Sequence, residues 1–286
     1  MHRQNTMTTR GAGFTLMEML IVMTVVGVIA GVLTPFIVQA VRAYQALEAR
    51  NELVAKGRLA LERMAREVRH AIPNSLELVS DAAGNPGIQF VASRHGTRYI
   101  DSSDNLGAAF SDFSRRFQVA TNLSNGLYII DNGLTQTAGH LIIGNTAPAN
   151  LKSGCGGACS SVAITGLSPT TVAGDGTDKG RIVQFATHSF PYESPGRHAF
   201  ITGDTHEVGL SADGTLRWHR GDLNDYDGDG DWSGSDPILV GGVDQIAFAY
   251  QPGTAQSSAV LSIDLSLIAG EESIRLYQEI HVRNTP

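Results

Sequence analysis

Twenty consecutive residues, Met19 to Val38, carry no charge, and this run constrains everything else about the chain. A helix needs about 20 apolar residues to cross a hydrocarbon core roughly 30 Å thick. Ahead of Phe14 the sequence has Arg3 and Arg10 but no acidic residue. That bias predicts a span whose N-terminus stays on the cytoplasmic side. A secretory signal would be cut after its apolar region, at a small-x-small site. Here the run passes straight into a charged helical pattern, so the span is expected to stay in the mature chain.

Glu18 is the one ionisable residue at the edge of this run. A carboxylate at the bilayer centre costs roughly 2.5–3.5 kcal/mol on insertion scales and less near the interface. Glu18 is therefore expected either to have a partner or to sit among headgroups. Gly27 and Gly31 have the Gly-x-x-x-Gly spacing that lets helices approach in lipid. Pro35 removes a backbone donor and clashes one turn back, so local weakness between Gly31 and Pro35 is the preferred expectation.

Beyond the run, Leu53, Gly57, Leu61, Met64, Val68 and Ile72 recur at helical spacing, with Arg50, Lys56, Arg63 and Arg66 elsewhere around the cylinder. The pattern predicts one amphipathic continuation that ends at Ile72, ahead of Pro73. A continuous helix over the 59 residues from Phe14 to Ile72 would measure roughly 90 Å.

Charge is unevenly placed. Residues 1–72 hold nine Lys/Arg and five Asp/Glu, net +4, and residues 73–286 hold twelve and twenty-three, net −11. An acidic C-terminal part gives no support to nucleic-acid binding, which needs clustered cations. Cys155 and Cys159 are the only cysteines. Translocation would put them in an oxidising compartment, so a local disulfide is expected. No other ligands stand at zinc spacing, and a redox pair usually has two intervening residues near a βαβ unit.

From Ser75 the texture becomes strands and turns. Short strands are predicted at 75–79, 88–92, 127–130 and 140–143. Residues 93–125 read as a long connection with one helical turn, in which Phe110, Phe113 and Phe117 form a small core. Residues 144–180 read as a loop. The clearest hairpin joins 205–210 to 215–220 through Asp213-Gly214. Leu261, Ile263, Leu265 and Leu267 share one strand face. Ile274, Leu276, Ile280 and Val282 share another, opposite Arg275, Tyr277, Glu279 and His281. Such alternation predicts antiparallel sheet with one buried face. The fold class is α+β, a long N-terminal helix packed on antiparallel sheet.

Motifs for acyl hydrolysis, zinc proteolysis, phosphate loops and dinucleotides are missing, so no enzyme is expected. His206, Glu207 and His219 fall on the hairpin and read as surface residues.

Gly13-Phe14-Thr15-Leu16-Met17-Glu18, after a short basic leader and before the apolar run, resembles the cleavage and methylation motif of type IV pilins and pseudopilins. The resemblance implies cleavage after Gly13 and N-methylation of Phe14 by a prepilin peptidase/methyltransferase. It also implies a pairing of Glu18 with the Phe14 amine of a neighbouring pilin subunit, and a helix-kinking role for Pro35. The expected parts are a leader, 1–13; a transmembrane half-helix, 14–38; an amphipathic half, 39–72; and a β-rich domain, 73–286. The partners implied are other pilin subunits and an inner-membrane assembly platform. The implied location is the bacterial inner membrane with the C-terminal domain periplasmic, and later the cell surface. The size of the β-rich domain, the segment Arg63–Arg69 with Pro73-Asn74-Ser75, and the stretch from Gln278 resemble the large minor pilin of mannose-sensitive haemagglutinin type pili. The minor pseudopilin J of type II secretion is similar too. A tip adhesin on a pilin anchor is a third possibility, and it should expose an aromatic or cationic patch; Trp218 and Trp232 are the only tryptophans.

Asp225, Asp227 and Asp229 occupy positions 1, 3 and 5 of a twelve-residue stretch, with Gly230 at position 6 and Asp236 at position 12. The pattern resembles the calcium loops of dockerins. Side chains of Asp225, Asp227, Asp229 and Asp236 and the carbonyl of Asp231 are the expected ligands. Aspartate at the last position is shorter than the usual glutamate, and no helix pair flanks the loop. The plain alternative is a solvated acidic turn.

Overall fold

Among the described residues, one long helix, three antiparallel sheets and short 3₁₀ turns make up the fold. The computed structural model describes residues 15–104, 108–124, 126–130, 133–135, 137–156, 159–172, 179–253 and 257–282. Gly13 and Phe14 lie outside these. Met1–Asn51 form one compact unit and Glu52–Pro286 another.

Helix α1 runs through Leu16–Arg69, 54 residues. It continues through Pro35 without interruption, and the Thr34 hydroxyl donates to the Ala30 carbonyl at 2.7 Å. In the first unit every residue from Thr15 to Gln45 is exposed, the large apolar ones included. The helix ends at Arg69, three residues before the expected stop. Pairing, rather than Pro73 alone, ends it: Ile72 N–H donates to Val91 O at 2.8 Å, and Ala71 bridges Ala92.

In the second unit, Leu53, Gly57, Leu61, Met64 and Val68 are all buried, as their spacing predicts. A Cβ at Gly57 would meet the terminal methyl groups of Leu276 and Leu267, which marks where the helix lies close against the sheet. One sheet has the order β1 (Glu77–Ser80), β2 (Pro86–Ala92), β10 (Asp204–Leu210), β11 (Leu216–Gly221), β12 (Ile238–Val240). A second is a meander of β13 (Val243–Gln251), β14 (Ala259–Ala269) and β15 (Glu272–Val282). Their inner faces and the helix share one core, to which β14 gives Leu261, Ile263, Leu265 and Leu267, all fully buried.

Between the neighbours β2 and β10 the chain inserts a third sheet with its own core. It contains β3 (His95–Arg98), β4 (Leu127–Ile130), β5 (His140–Ile142), β6 (Ser161–Leu167), β7 (Thr171–Val172), β8 (Lys179–Phe185) and β9 (His198–Thr202). The order is β3-β9-β5-β6-β8-β4, with β7 beside β8. The sheet curls until its ends meet. Tyr99, just past β3, bridges Ile129 of β4, and Ile100 N–H donates to Tyr128 O at 2.9 Å. Tyr99, Phe117, Leu141, Val183, Phe190 and Ile201 are among the side chains filling the interior.

This insertion corrects two expectations. The stretch 93–125 contains β3, and 144–180 contains β6 and β7. The three phenylalanines do not form one core. Phe110 packs with Ile100 and Tyr128, Phe117 joins the curled sheet, and Phe113 is 61% exposed with Arg116 over its ring. His206 and Glu207 are buried rather than superficial. His206 lies between Phe90 and Trp218, with ring centroids 5.4 and 5.5 Å away, and burial holds its imidazole pKa down to about 4.

Candidate functional site

Apart from the Cys155–Cys159 pair, and from Gly13 and Phe14 outside the described residues, the sequence-derived site residues fall in two places. At the start of α1, Thr15 caps the helix: its carbonyl and hydroxyl both accept from the Glu18 N–H, at 3.1 and 3.3 Å. Thr15-x-x-Glu18 has the spacing of a capping box, a signal in the sequence that marks Thr15 as the start of the helix. Glu18 sits in the first turn, where the helix dipole favours a negative charge. Gly27 and Gly31 face open space, since a Cβ at either would touch nothing.

The second place is the outer face of the five-stranded sheet. Strand alternation sends His206 and Val208 toward the helix, and Thr205, Glu207 and Gly209 to the other side. There Glu207 stands opposite Gln89 of β2 and His219 of β11. The acidic segment 222–237 folds back over this row. Asp222 caps a short 3₁₀ turn, Leu223–Asp225, by accepting from Asn224 N–H at 2.6 Å, while the Asp225 carboxylate accepts from Asp222 N–H at 2.8 Å.

Gln89 and Glu207 act as buried anchors for the segment. The Gln89 amide donates to Glu207 Oε1 at 2.6 Å and to the Asp225 carbonyl at 3.0 Å, and its oxygen accepts from Gly228 N–H at 3.0 Å. Glu207 Oε2 accepts from Asp231 N–H at 2.7 Å. Burial pushes the Glu207 carboxyl pKa up, against the opposing effect of these bonds. Arg217 ties down the far end, donating to the carbonyls of Gly234 and Asp236 at 2.9 Å each and to Asp213 at 2.7 Å.

Trp232 covers the middle of this face. Its ring lies over Gly87 and Gly209, where a Cβ would collide with ring carbons, and its indole N–H donates to Leu210 O at 2.9 Å. Tyr226 is fully buried with its hydroxyl on Ser75 O. The segment is therefore an ordered cover, folded onto the sheet by polar anchors and one indole.

The carboxylates proposed as calcium ligands have individual roles in this arrangement. Asp225 is engaged at the 3₁₀ cap, and Asp227 accepts from Asp229 N–H at 2.9 Å. Asp236 accepts from Ser233 N–H at 2.6 Å and lies 3.0 Å from His219 Nδ1. Burial opposes the Asp236 charge, but the Ser233 amide and His219 outweigh it and hold its pKa below the ordinary range; in return His219 is raised. The Asp231 carboxyl is pushed up, first by burial and then by Asp227, Asp225 and Asp229. Among the described residues, no three side chains of His, Cys, Asp or Glu converge as a metal-holding group. Cys155 and Cys159 form a disulfide, with Cα atoms 5.1 Å apart.

Residues 9–34 match the family model described as the prokaryotic N-terminal methylation motif. The match takes in Gly13, Phe14, Glu18 and most of the uncharged run. It supports a type IV pilin or pseudopilin subunit held in a membrane by one apolar helix, and a structural rather than an enzymatic role. No curated protein and no solved structure matches the chain.

The Trp232 contact yields a direct expectation. Gly209→Ala puts a methyl group into the indole and should lower stability by about 1–3 kcal/mol, as overpacking does. Trp232 emission should shift to the red, and amides of 225–231 should exchange faster. Unchanged emission and exchange would mean that the indole does not hold the cover down.

Proposed function

We propose that the chain is a minor subunit of a type IV pilus of the mannose-sensitive haemagglutinin kind, which helps initiate, cap or decorate the filament. The observation that carries this reading is the methylation motif at the head of a helix whose apolar surface, Thr15 to Gln45, is left wholly exposed by its own chain. Such a surface needs lipid before assembly and neighbouring pilin helices after it. The prepilin peptidase/methyltransferase would act at Gly13 and Phe14, and an inner-membrane assembly platform would extract the subunit with its C-terminal domain on the periplasmic side. Trp218 and Trp232, the tryptophans an adhesive face would present, are both buried, which weighs against the adhesin alternative.

Glu18 carries the assembly role in this proposal, as partner of the Phe14 amine on the next subunit. Glu18→Ala should leave the thermal unfolding of the β-rich part unchanged and reduce incorporation into filaments severalfold. Deleting the chain should lower the number of surface filaments. Normal filaments with an exported protein trapped in the periplasm would instead assign the chain to type II secretion, and normal filaments with lost attachment would assign it to adhesion. Full incorporation of Glu18→Ala would mean that the carboxylate only sits among headgroups.

Calcium at the acidic segment is a second part of the proposal. It is supported by the mutual repulsion that adds to burial in raising Asp231, and that a hard cation would relieve. Binding would require Asp225 to leave the Asp222 amide and Asp236 to leave Ser233 and His219. That rearrangement points to weak affinity, near the roughly 10⁻⁴–10⁻³ M of extracellular modules. Millimolar calcium should raise the melting temperature of the full-length chain, and Asp227→Ala with Asp229→Ala should abolish the rise. A melting temperature indifferent to calcium in the parent would make the segment a metal-free cover.

A further inference from the structure

Most sheet edges in this fold are blunted. The five-stranded sheet ends in β1 and β12, of four and three residues, and the curled sheet has its ends joined by the Tyr99–Ile129 bridge. In the meander, β13 has a register shift between Val243 and Gln245, and it packs near β1 and β2. Strand β15 is different. All eleven of its residues pair with β14 without a shift, it contains neither proline nor lysine, and among the described residues no strand pairs with its other side. An edge of eleven residues presents about 36 Å of unpaired backbone donors and acceptors. Proteins usually protect such an edge with charged side chains, proline or a bulge; β15 carries charges, but Arg275 and Glu279 are of opposite sign and equally spaced about Tyr277.

The residues of β15 are also arranged symmetrically about Tyr277. If a second copy pairs antiparallel with Tyr277 opposite itself, then Arg275 meets Glu279, Ile274 meets Ile280, and Ser273 meets His281. Ser273, Arg275, Tyr277, Glu279 and His281 lie on the exposed face, so both Arg275–Glu279 pairs form in water on one side. Ile274 and Ile280, which are buried, continue the apolar side of the sheet across the junction. Arg275 is already steered by Asp264 of β14, yet 74% of its side chain is exposed and accessible to a second carboxylate. Glu279 accepts from the Tyr277 hydroxyl at 2.6 Å, which holds it beside the symmetry point.

We infer that β15 is a self-pairing edge, through which two copies of this chain join their three-stranded sheets into one six-stranded sheet. Opposite charges directly across antiparallel strands stabilise the pairing, and a shift of one residue would put the exposed row on the buried side. Without a large apolar patch the pairing is weak, so it operates where the membrane concentrates the chains.

Cross-linking of the full-length chain in detergent micelles tests this, because a position-specific readout separates β15 pairing from association of the apolar helices. Tyr277→Cys should give a disulfide-linked dimer on mild oxidation. Ser273→Cys alone should not, but a mixture of Ser273→Cys and His281→Cys chains should. In the Tyr277→Cys background, Arg275→Glu or Glu279→Arg should each lower the cross-linking rate by about tenfold, and the double reversal should restore it. The melting temperature of each variant is measured alongside to confirm that it is folded. No linked dimer of the Tyr277→Cys chain, or a link indifferent to either charge reversal in folded chains, would overturn the inference.

Discussion

The surface this chain cannot cover by itself governs its organisation. Over Thr15–Gln45 the helix exposes its apolar side chains on every side, and from Leu53 onward it buries a stripe against sheet. Helical propensity is continuous across the change, so what differs is the environment each half requires. The first half needs lipid or other helices, because burying that much apolar area is the dominant favourable term open to it. The second half finds burial inside its own chain. The methylation motif stands at the head of the first half, where processing and membrane placement coincide.

The five-stranded sheet shows a related division. One of its faces makes the helix core through Phe90, Val208 and Trp218; the other would be wet, were it not covered by the acidic segment. That cover is held by two buried side chains whose polar atoms are all bonded, Gln89 and Glu207, and by an indole seated where two glycines leave room. Removing either partner of a buried polar pair is more damaging than the pair is stabilising, so such a cover is rigid but intolerant. Asp222, Asp227, Asp229 and Asp231 remain exposed, while Asp225 and Asp236 are half-buried in bonds of the cover itself.

Legibility in the sequence follows the length and burial of each element. The stripe Leu53 to Val68 and the alternation of β14 and β15 are readable because period and burial agree over many residues. The helix end is displaced because Ala71 and Ile72 pair with β2, an interaction that proline chemistry does not reveal. The curled sheet is readable only in part: β4 and β5 lie where strands are expected, but β3 has four residues, too few for a period to emerge, and β6 lies in a stretch whose small and polar residues read as loop. The burial of His206 and Glu207 escapes the sequence because a polar residue goes inside only when distant partners meet it, and Gln89 lies 118 residues away from Glu207. At the helix start, Glu18 is legible as a charged residue in an odd place, while its bond to Thr15 is written in the capping-box spacing.

Membrane placement and assembly both depend on the apolar helix being the N-terminal segment of a processed subunit. Mass spectrometry of the chain extracted from membranes of its own cells tests this most directly. The expected N-terminal peptide begins at Phe14 and carries one additional methyl group. An N-terminus at Met1, or a cut beyond Val38 that removes the helix, would contradict it.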